Sequence, residues 1–258
     1  MNPQIFKNLI LIGRPASGKS EFIDFMKKLS DETRREVFHL GKIYELDDFL
    51  WLWEKFVEDD VWEKAGHRRL FSKRSEHGYV VTESSVLDYC LSRFNEEARK
   101  QPQDGTISDG TISDGTISDG TISDGTVSDR TVFIEFARGA GDGGYNHALN
   151  KLSDEILKDA VILFIYASYE EACRRNESRY QEKLKHTVLA HKVPDEDMER
   201  FGKEIDWLEL TKNQPKGLVT IRNRNIPFVT MNNEPELKEE RDLSERYKQA
   251  LDQLCKIL

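Results

Sequence analysis

Short apolar runs alternate with amphipathic stretches over most of the chain, and this alternation predicts its architecture. Each run has the length and composition of a buried strand. The runs are residues 8–12, 37–40, 131–136, 161–167 and 227–231. Strands that alternate with helices predict an α/β fold, with a parallel sheet of about five strands and helices on both faces. In such a fold, ligands bind at the carboxyl ends of the strands.

The stretches between the runs carry apolar residues at helical spacing and predict the helices. One helix follows Gly18, and the others cover about residues 46–57, 86–100, 149–158, 195–210 and 244–258. The stretch 46–57 differs from the rest because it is apolar on most of its faces. Burial in the core is the favoured interpretation of this helix. A pocket of aromatic side chains for a phosphoryl acceptor is the alternative.

The middle of the chain contains a tandem array. The pentapeptide Asp-Gly-Thr-Ile-Ser repeats from Asp104, and a variant copy ends the array at Ser128. One isoleucine per repeat buries little apolar surface, so the low-complexity segment 102–130 is predicted to be a mobile surface loop inserted in the domain. A β-ribbon is the alternative, because Asp-Gly favours hairpin turns. The uniform polar repeat offers no varied residues for a site, so the array is expected to be dispensable.

Composition narrows the class of protein. The 258 residues carry a net charge of −9 and a pI near 5.3, which argues against nucleic acid as a partner. The three cysteines are far apart, so neither a disulfide framework nor a metal knuckle is expected. No apolar run approaches the ~18 residues of a membrane span, and no signal peptide is evident. We therefore expect one cytoplasmic domain over residues 1–258 that does not contact a membrane.

A phosphate-binding motif follows the first predicted strand. It fits G-x-x-x-x-G-K-[ST], and a predicted helix comes directly after it, which is the context that the motif requires. The backbone N–H groups of such a loop and the helix N-terminus bind phosphate oxygens. The lysine reaches the β- and γ-phosphates, and the last hydroxyl ligates Mg²⁺. The predicted nucleotide-binding residues are Gly13, Arg14, Pro15, Ala16, Ser17, Gly18, Lys19 and Ser20.

Acidic residues near two strand ends are candidates for the chemistry. Glu135 lies near the end of the strand 131–136, where it would orient Mg²⁺ or act on an acceptor hydroxyl. Asp47 and Asp48 follow the second predicted strand, and either one is a candidate base. A helix cap is an equally good interpretation of this pair. Arg138 is a candidate phosphate contact or an ordinary surface arginine.

Three stretches resemble P-loop kinases of the nucleoside-monophosphate-kinase-like group. They are the phosphate loop, the acidic strand end at Glu135, and residues 167–179, which contain a serine followed by the arginine pair Arg175 and Arg179. Gluconate kinases have a similar order at the start of their lid. The resemblance implies a P-loop NTPase fold with a helical lid over about residues 169–210. It implies ATP and Mg²⁺ as cofactors.

The two lid arginines lie four residues apart and so share one helix face. From this spacing, Arg175 and Arg179 are expected to contact the transferring phosphoryl group as the lid closes. A solvated helix held by its own glutamates is the alternative. The basic segment 67–74 is likewise either a solvated face or a site for an anionic acceptor.

These features predict an ATP-dependent kinase that acts on a small-molecule or nucleotide acceptor. The candidate catalytic residues are Lys19, Asp47, Glu135, Arg175 and Arg179, and the candidate Mg²⁺ ligands are Ser20 and Glu135. A nucleotide-dependent regulatory ATPase or binding module without an acceptor is the alternative. A GTPase is disfavoured because residues 211–214, Thr-Lys-Asn-Gln, lack the final aspartate of a base-reading motif.

Overall fold

The computed structural model describes residues 4–100, 129–185 and 192–258. Within these residues the strands form a six-stranded sheet of order β2-β5-β1-β6-β8-β7 and a separate β3-β4 hairpin. All neighbours in the large sheet pair in parallel except β7 and β8. The strands are β1 (Asn8–Ile12), β2 (Lys42–Asp47), β3 (Ser72–Ser75), β4 (Gly78–Val81), β5 (Arg130–Phe136), β6 (Ala160–Tyr166), β7 (Lys216–Ile221) and β8 (Arg224–Asn232).

Helices cover both faces of the sheet. The longer ones are α1 (Lys19–Lys28), α2 (Asp31–Phe38), α3 (Asp48–Lys64), α4 (Ser84–Lys100), α5 (Gly144–Lys151), α7 (Tyr169–Leu184) and α10 (Glu240–Cys255). Single turns form α6 (Asp154–Leu157), α8 (Asp195–Met198) and α9 (Trp207–Leu210), and a π-helical segment spans Glu199–Lys203. None of the described helices is long and apolar enough to cross a membrane.

Successive strand residues belong to two different cores. Ile10 and Ile162 pack with α4, α5 and α9 on one face, whereas Leu9 and Val161 pack with α1, α2 and α10 on the other. This follows from the alternation of side chains along a strand. A strand that is buried on both faces must be apolar throughout, which is why the runs are continuous. The predicted α/β fold with a parallel sheet and helices on both faces is confirmed.

The prediction of a strand at residues 37–40 is wrong. Val37 and Phe38 end α2, whose N-terminus is capped by Ser30, with its hydroxyl accepting a bond of 3.1 Å from the N–H of Thr33. His39 then takes a left-handed conformation with φ of 58° and ends the helix. The second strand begins three residues later and is only half-buried, so its apolar signal is weak.

Several other boundaries differ from the prediction. The helix expected over 149–158 is interrupted at Leu152, and the one expected over 195–210 is broken by the π-helical segment. The prediction missed β7 and the β3-β4 hairpin, since both carry polar residues and neither gives a long apolar run. The array and the central part of the lid, residues 101–128 and 186–191, lie outside the described residues, so those predictions remain open.

The burial expected for the helix at 46–57 is found only in part. Its counterpart α3 buries Phe56 and Asp59, whereas Phe49 and Leu50 are 42% and 63% exposed. Leu52, Trp53 and Phe56 pack in a third apolar cluster with Val81, Val86 and Leu87. These three residues and Phe49 also line a cavity.

Candidate active site

The phosphate loop joins β1 to α1 at the carboxyl edge of the sheet. Its two glycines are required by packing as well as by conformation. A Cβ on Gly13 would lie 2.4 Å from the carbonyl oxygen of Ile165, and one on Gly18, whose φ is 107°, would lie 2.3 Å from Nδ2 of Asn233. The loop is thus seated directly against β6 and the end of β8. Only glycine fits at these two positions without moving the backbone.

Lys19 lies inside the loop rather than in solvent. Its side chain is nearly buried, and its Nζ donates to the carbonyl oxygens of Gly13 and Arg14, each at 3.1 Å. The same ammonium is 3.9 Å from Oε1 of Glu135. A triphosphate on the loop N–H groups would meet this charge at short range.

Ser20 and Glu135 face each other across the end of the sheet. The Ser20 hydroxyl donates to Oε1 of Glu135 at 3.3 Å, and the other carboxylate oxygen, Oε2, is buried without a hydrogen-bond partner in the described part of the chain. Burial raises the pKa of Glu135 to about 8, against the opposing effect of Lys19. An unpartnered buried carboxylate oxygen beside a hydroxyl fits a hard cation such as Mg²⁺.

Two more carboxylates adjoin Glu135. Oxygens of Glu45, Asp47 and Glu135 all lie within 4.8 Å of one another. Asp47 is also the N-cap of α3, because its Oδ1 accepts a bond of 2.9 Å from the N–H of Phe49. Burial, and next the charge of Asp48, raise the pKa of Asp47 to about 6. The capping interpretation of Asp47 is confirmed, while its carboxylate still lines the cavity.

Asp48 and Arg138 form a buried pair beside this cluster. Nη1 of Arg138 donates to Oδ2 of Asp48 at 2.8 Å, and its Nη2 donates to the carbonyl oxygen of Leu87 at 2.9 Å. Arg138 is 1% exposed, so its interpretation as a surface arginine is wrong. The pair ties the start of α3 to β5 and α4.

The two predicted lid arginines occupy different environments. Arg175 is 1% exposed; its Nη1 donates to the carbonyl oxygen of Ser17 at 3.3 Å and its Nη2 donates to that of Asn233 at 2.6 Å. It lies under the phosphate loop and does not line the cavity. Arg179, one turn later, does line the cavity and pairs with Glu21 of α1. Of the two arginines, therefore, only Arg179 lines the cavity.

Ser168 caps the N-terminus of α7, with its hydroxyl accepting a bond of 3.2 Å from the N–H of Glu171. The reciprocal bond of a capping box, from the N–H of Ser168 to Glu171, does not form. The N–H of Ser168 donates to Glu234, and Glu171 instead accepts from Arg174 and Arg175. These arginines hold the pKa of Glu171 down, at about 2.

Sequence reasoning missed the contacts that hold the phosphate loop from behind. Asn233 donates from Nδ2 to the Ser17 carbonyl at 2.8 Å, and its Oδ1 accepts from Arg246 at 2.9 Å. Arg14 is directed away from the cavity, with Nη1 on the Ala167 carbonyl at 2.8 Å and Nε on that of Gly202. Its side chain therefore connects the loop to the lid rather than to a ligand.

A cavity of about 340 Å³ extends from the phosphate loop along α3. Lys19, Ser20, Asp47 and Glu135 are among the residues that line it. Aromatic residues of α3 and β4 and residues of α7 and the lid segment line it as well. One cavity is thus lined both by the phosphate loop and by the aromatic residues of α3.

The basic segment 67–74 is not part of this cavity. Arg69 pairs with Asp60 and Glu63, and Arg74 pairs with the same two residues. These ion pairs hold the β3-β4 hairpin against α3. The segment therefore has a structural role at this hairpin, and nothing here supports an anion site.

Neither a family model nor a curated protein matches the chain. Among solved structures, the chain is similar to a gluconokinase from Sinorhizobium meliloti 1021, with a TM-score of 0.46 and 9% identity over 98% of this chain and 95% of the other. It is also similar to a candidate kinase from Chloroflexus aurantiacus, with a TM-score of 0.40 and 11% identity over 97% and 99%. The mostly parallel sheet, with helices on both faces and a glycine-containing loop between β1 and α1, defines the class of fold as α/β.

Proposed function

We propose that this protein is an ATP-dependent kinase that transfers the γ-phosphoryl group of ATP to a hydroxyl of a small molecule. The observation that carries the proposal is one cavity lined both by the phosphate loop and by the aromatic residues of α3. Lys19 and Ser20 of the loop line this cavity together with the carboxylates of Asp47 and Glu135. A protein that only binds or hydrolyses nucleotide would not need room for an acceptor beside the phosphate loop.

Ser20 and Glu135 are the residues that would hold Mg²⁺. The unpartnered Oε2 of Glu135 and the adjacent hydroxyl offer the oxygen ligands that this cation prefers. When bound, Mg²⁺ neutralises charge on the phosphate oxygens. Asp47 contributes a further oxygen within reach of Glu135.

The transfer requires positioning more than covalent chemistry. The acceptor oxygen forms the new bond to the γ-phosphorus, the bond from that phosphorus to the bridging oxygen breaks, and ADP leaves with the electron pair. The acceptor proton passes to a carboxylate, and Asp47, which lines the same cavity, is the candidate. Lys19 and Arg179 neutralise the charge on the transferring group.

Nucleotide binding and acceptor stimulation test this proposal together. Nucleotides with Mg²⁺ are screened by thermal shift, because a ligand that binds the folded state raises Tm by mass action. ADP formation is then measured with acceptor libraries. An acceptor that raises the rate above intrinsic hydrolysis supports the kinase. Binding and hydrolysis that no acceptor changes would instead favour the regulatory ATPase.

A further inference from the structure

We propose that the acceptor is an uncharged alcohol carried on a flat aromatic ring, and that the ring lies against the inner face of α3. The aromatic wall is defined here as Phe49, Leu52, Trp53, Phe56 and Tyr79. This inference rests on the proposed function, since it names the substrate class of the same cavity. The inference is argued from the position of the wall, from the exposed ring of Phe49 and from the absence of charged side chains in the wall.

The aromatic wall begins directly beside the candidate chemistry. Asp47 caps α3, and Phe49, Trp53 and Phe56 follow it at intervals of four and three residues, so they form one stripe along the cavity. A ring lying along this stripe would direct a short alcohol arm toward Asp47 and the phosphate loop. The wall is therefore placed to hold the body of the molecule whose hydroxyl reacts.

The rings of the wall are arranged before any ligand binds. Phe56 and Tyr79 stack with centroids 5.0 Å apart and planes at 26°, and Trp53 meets Tyr79 edge-on at 5.7 Å. Phe49 lies 5.9 Å from Trp53 and keeps 42% of its surface exposed although it lines the cavity. A flat ring would cover this surface and add aromatic contacts to those already present.

The aromatic wall itself carries no charged side chain. The acids beside it are Asp47, at the end of β2, and Asp48, at the start of α3, and they would repel an anionic group next to the reacting hydroxyl. Cations also line the cavity, but most of them already have partners: Arg138 pairs with Asp48, Arg179 with Glu21, and Lys192 with Glu177 and Asp195, whereas Lys183 lies on α7 and not on the wall. The part of the acceptor that meets the wall is therefore expected to be uncharged.

A polyol fits this wall poorly as well. Its hydroxyl groups would be desolvated against phenyl and indole faces without hydrogen-bond partners, which is unfavourable. The binding free energy that a ring gains by burying apolar surface would be lost as well. The wall therefore favours an aromatic alcohol over a sugar or a sugar acid.

The test compares matched acceptors on the full-length protein with MgATP. The probes are para-hydroxymethylbenzamide, which is uncharged and flat, para-hydroxymethylbenzoate, which adds a negative charge, cyclohexylmethanol, which is not flat, and glucose and gluconate. ADP formation is measured for each probe, and Trp fluorescence reports binding independently. We expect the benzamide to bind and to stimulate ADP formation at least about tenfold more effectively than the other probes.

A test variant and its matched control lie at neighbouring positions of α3. Phe49→Ala shortens a ring of the aromatic wall, whereas Leu50→Ala shortens a side chain that is 63% exposed and does not line the cavity. Phe49→Ala should raise the KM for the benzamide about tenfold, with the Kd for MgATP unchanged. Leu50→Ala should change neither value.

The outcomes separate this inference from the proposed function. Preference for glucose, gluconate or the benzoate would overturn the inference and leave the kinase in place. So would equal effects of the two variants, or the absence of any binding of the benzamide at millimolar concentration. Failure of the folded protein to bind MgATP would contradict the proposed function itself.

Discussion

The side-chain amide of Asn233 donates a hydrogen bond of 2.8 Å to the backbone carbonyl of Ser17, across 216 positions of sequence. This contact turns a carbonyl of the phosphate loop away from the space where phosphate would bind. Arg175 donates to the same carbonyl and to that of Asn233. The phosphate loop is thus fixed by Asn233, which directly follows β8, and by Arg175 of α7.

Asn233→Ala should weaken nucleotide binding without removing any group that would touch the nucleotide. The Ser17 carbonyl would lose a buried partner, at a cost of about 1–3 kcal/mol, and the loop would sample other conformations. We expect a lower Tm and a Kd for MgATP that rises about tenfold, measured by calorimetry. Asn232→Ala, at an exposed neighbouring position, is the control. Equal nucleotide affinity in both variants would show that the hydrogen bond from Asn233 to Ser17 does not hold the phosphate loop in its binding conformation.

Substitution of Arg175 should change mainly Tm, whereas substitution of Arg179 should change mainly turnover. Arg175→Ala removes a buried donor from the Asn233 carbonyl and one of the two donors from the Ser17 carbonyl, and it should lower Tm by about 5 °C or more. Arg179→Ala should leave Tm nearly unchanged, since its pair with Glu21 is largely exposed. If Arg179 acts on the transferring group, its loss should slow single-turnover ATP consumption by ~10²-fold.

Arg179→Lys should rescue poorly, because the planar donor geometry is lost while the charge is kept. Wild-type turnover in Arg179→Ala at saturating nucleotide would remove this residue from the catalytic proposal. A wild-type Tm in Arg175→Ala would contradict its placement under the phosphate loop.

Asp197 should make the protein less stable as pH rises. Burial raises its pKa from an ordinary value of 3.8 to about 6, and its Oδ2 accepts a bond of 3.2 Å from the N–H of Val81. The folded state then holds the proton more tightly than the unfolded state does. The resulting stability is present below about pH 4 and is lost as pH rises through about 6, amounting to up to ~3 kcal/mol.

Asp197→Asn tests this sign, because the amide oxygen still accepts from Val81 and carries no charge. Denaturant unfolding should show the variant more stable than wild type at pH 8, with the difference disappearing near pH 4. Asp195→Asn changes an exposed carboxylate on the same turn and is the control. A variant that is less stable than wild type at pH 8 would contradict the prediction.

Glu135→Gln should weaken Mn²⁺ binding, with Mn²⁺ standing in for Mg²⁺. The substitution removes the negative charge but keeps the size of the side chain that faces Ser20. We expect at least about tenfold weaker Mn²⁺ affinity in the presence of a non-hydrolysable ATP analogue, measured by electron paramagnetic resonance. Glu36→Gln, at an exposed position of α2, should bind as wild type does. Equal affinities in the two variants would exclude Glu135 as a ligand.

The parts of the fold that sequence predicts well are those set by local composition. Residues 9–12 and 161–165 are apolar at every position because both faces of the sheet are covered. Val37 and Phe38 failed as a strand because a short apolar pair fits the end of a helix equally well. The cap at Ser30 was the signal that could have corrected this interpretation.

The parts of the site that sequence did not predict depend on partners far along the chain. The helix spacing correctly places Arg175 and Arg179 on neighbouring turns of α7, but only the fold shows that one is buried under the phosphate loop. Asn233 meets Ser17 across 216 positions of sequence, and no local pattern marks that contact. The aromatic stripe of α3 was ambiguous for a similar reason, since apolar residues line cavities and cores alike.

The binding of MgATP to wild type and to Lys19→Ala tests the central claim most directly. Lys28→Ala, an exposed lysine at the other end of α1, is the matched control. We predict that wild type and Lys28→Ala bind MgATP with equal Kd, and that Lys19→Ala remains folded, as a cooperative thermal transition shows, but binds at least tenfold more weakly. Equal affinity of all three folded proteins, or no binding by wild type, would contradict the assignment of residues 13–20 as the nucleotide site.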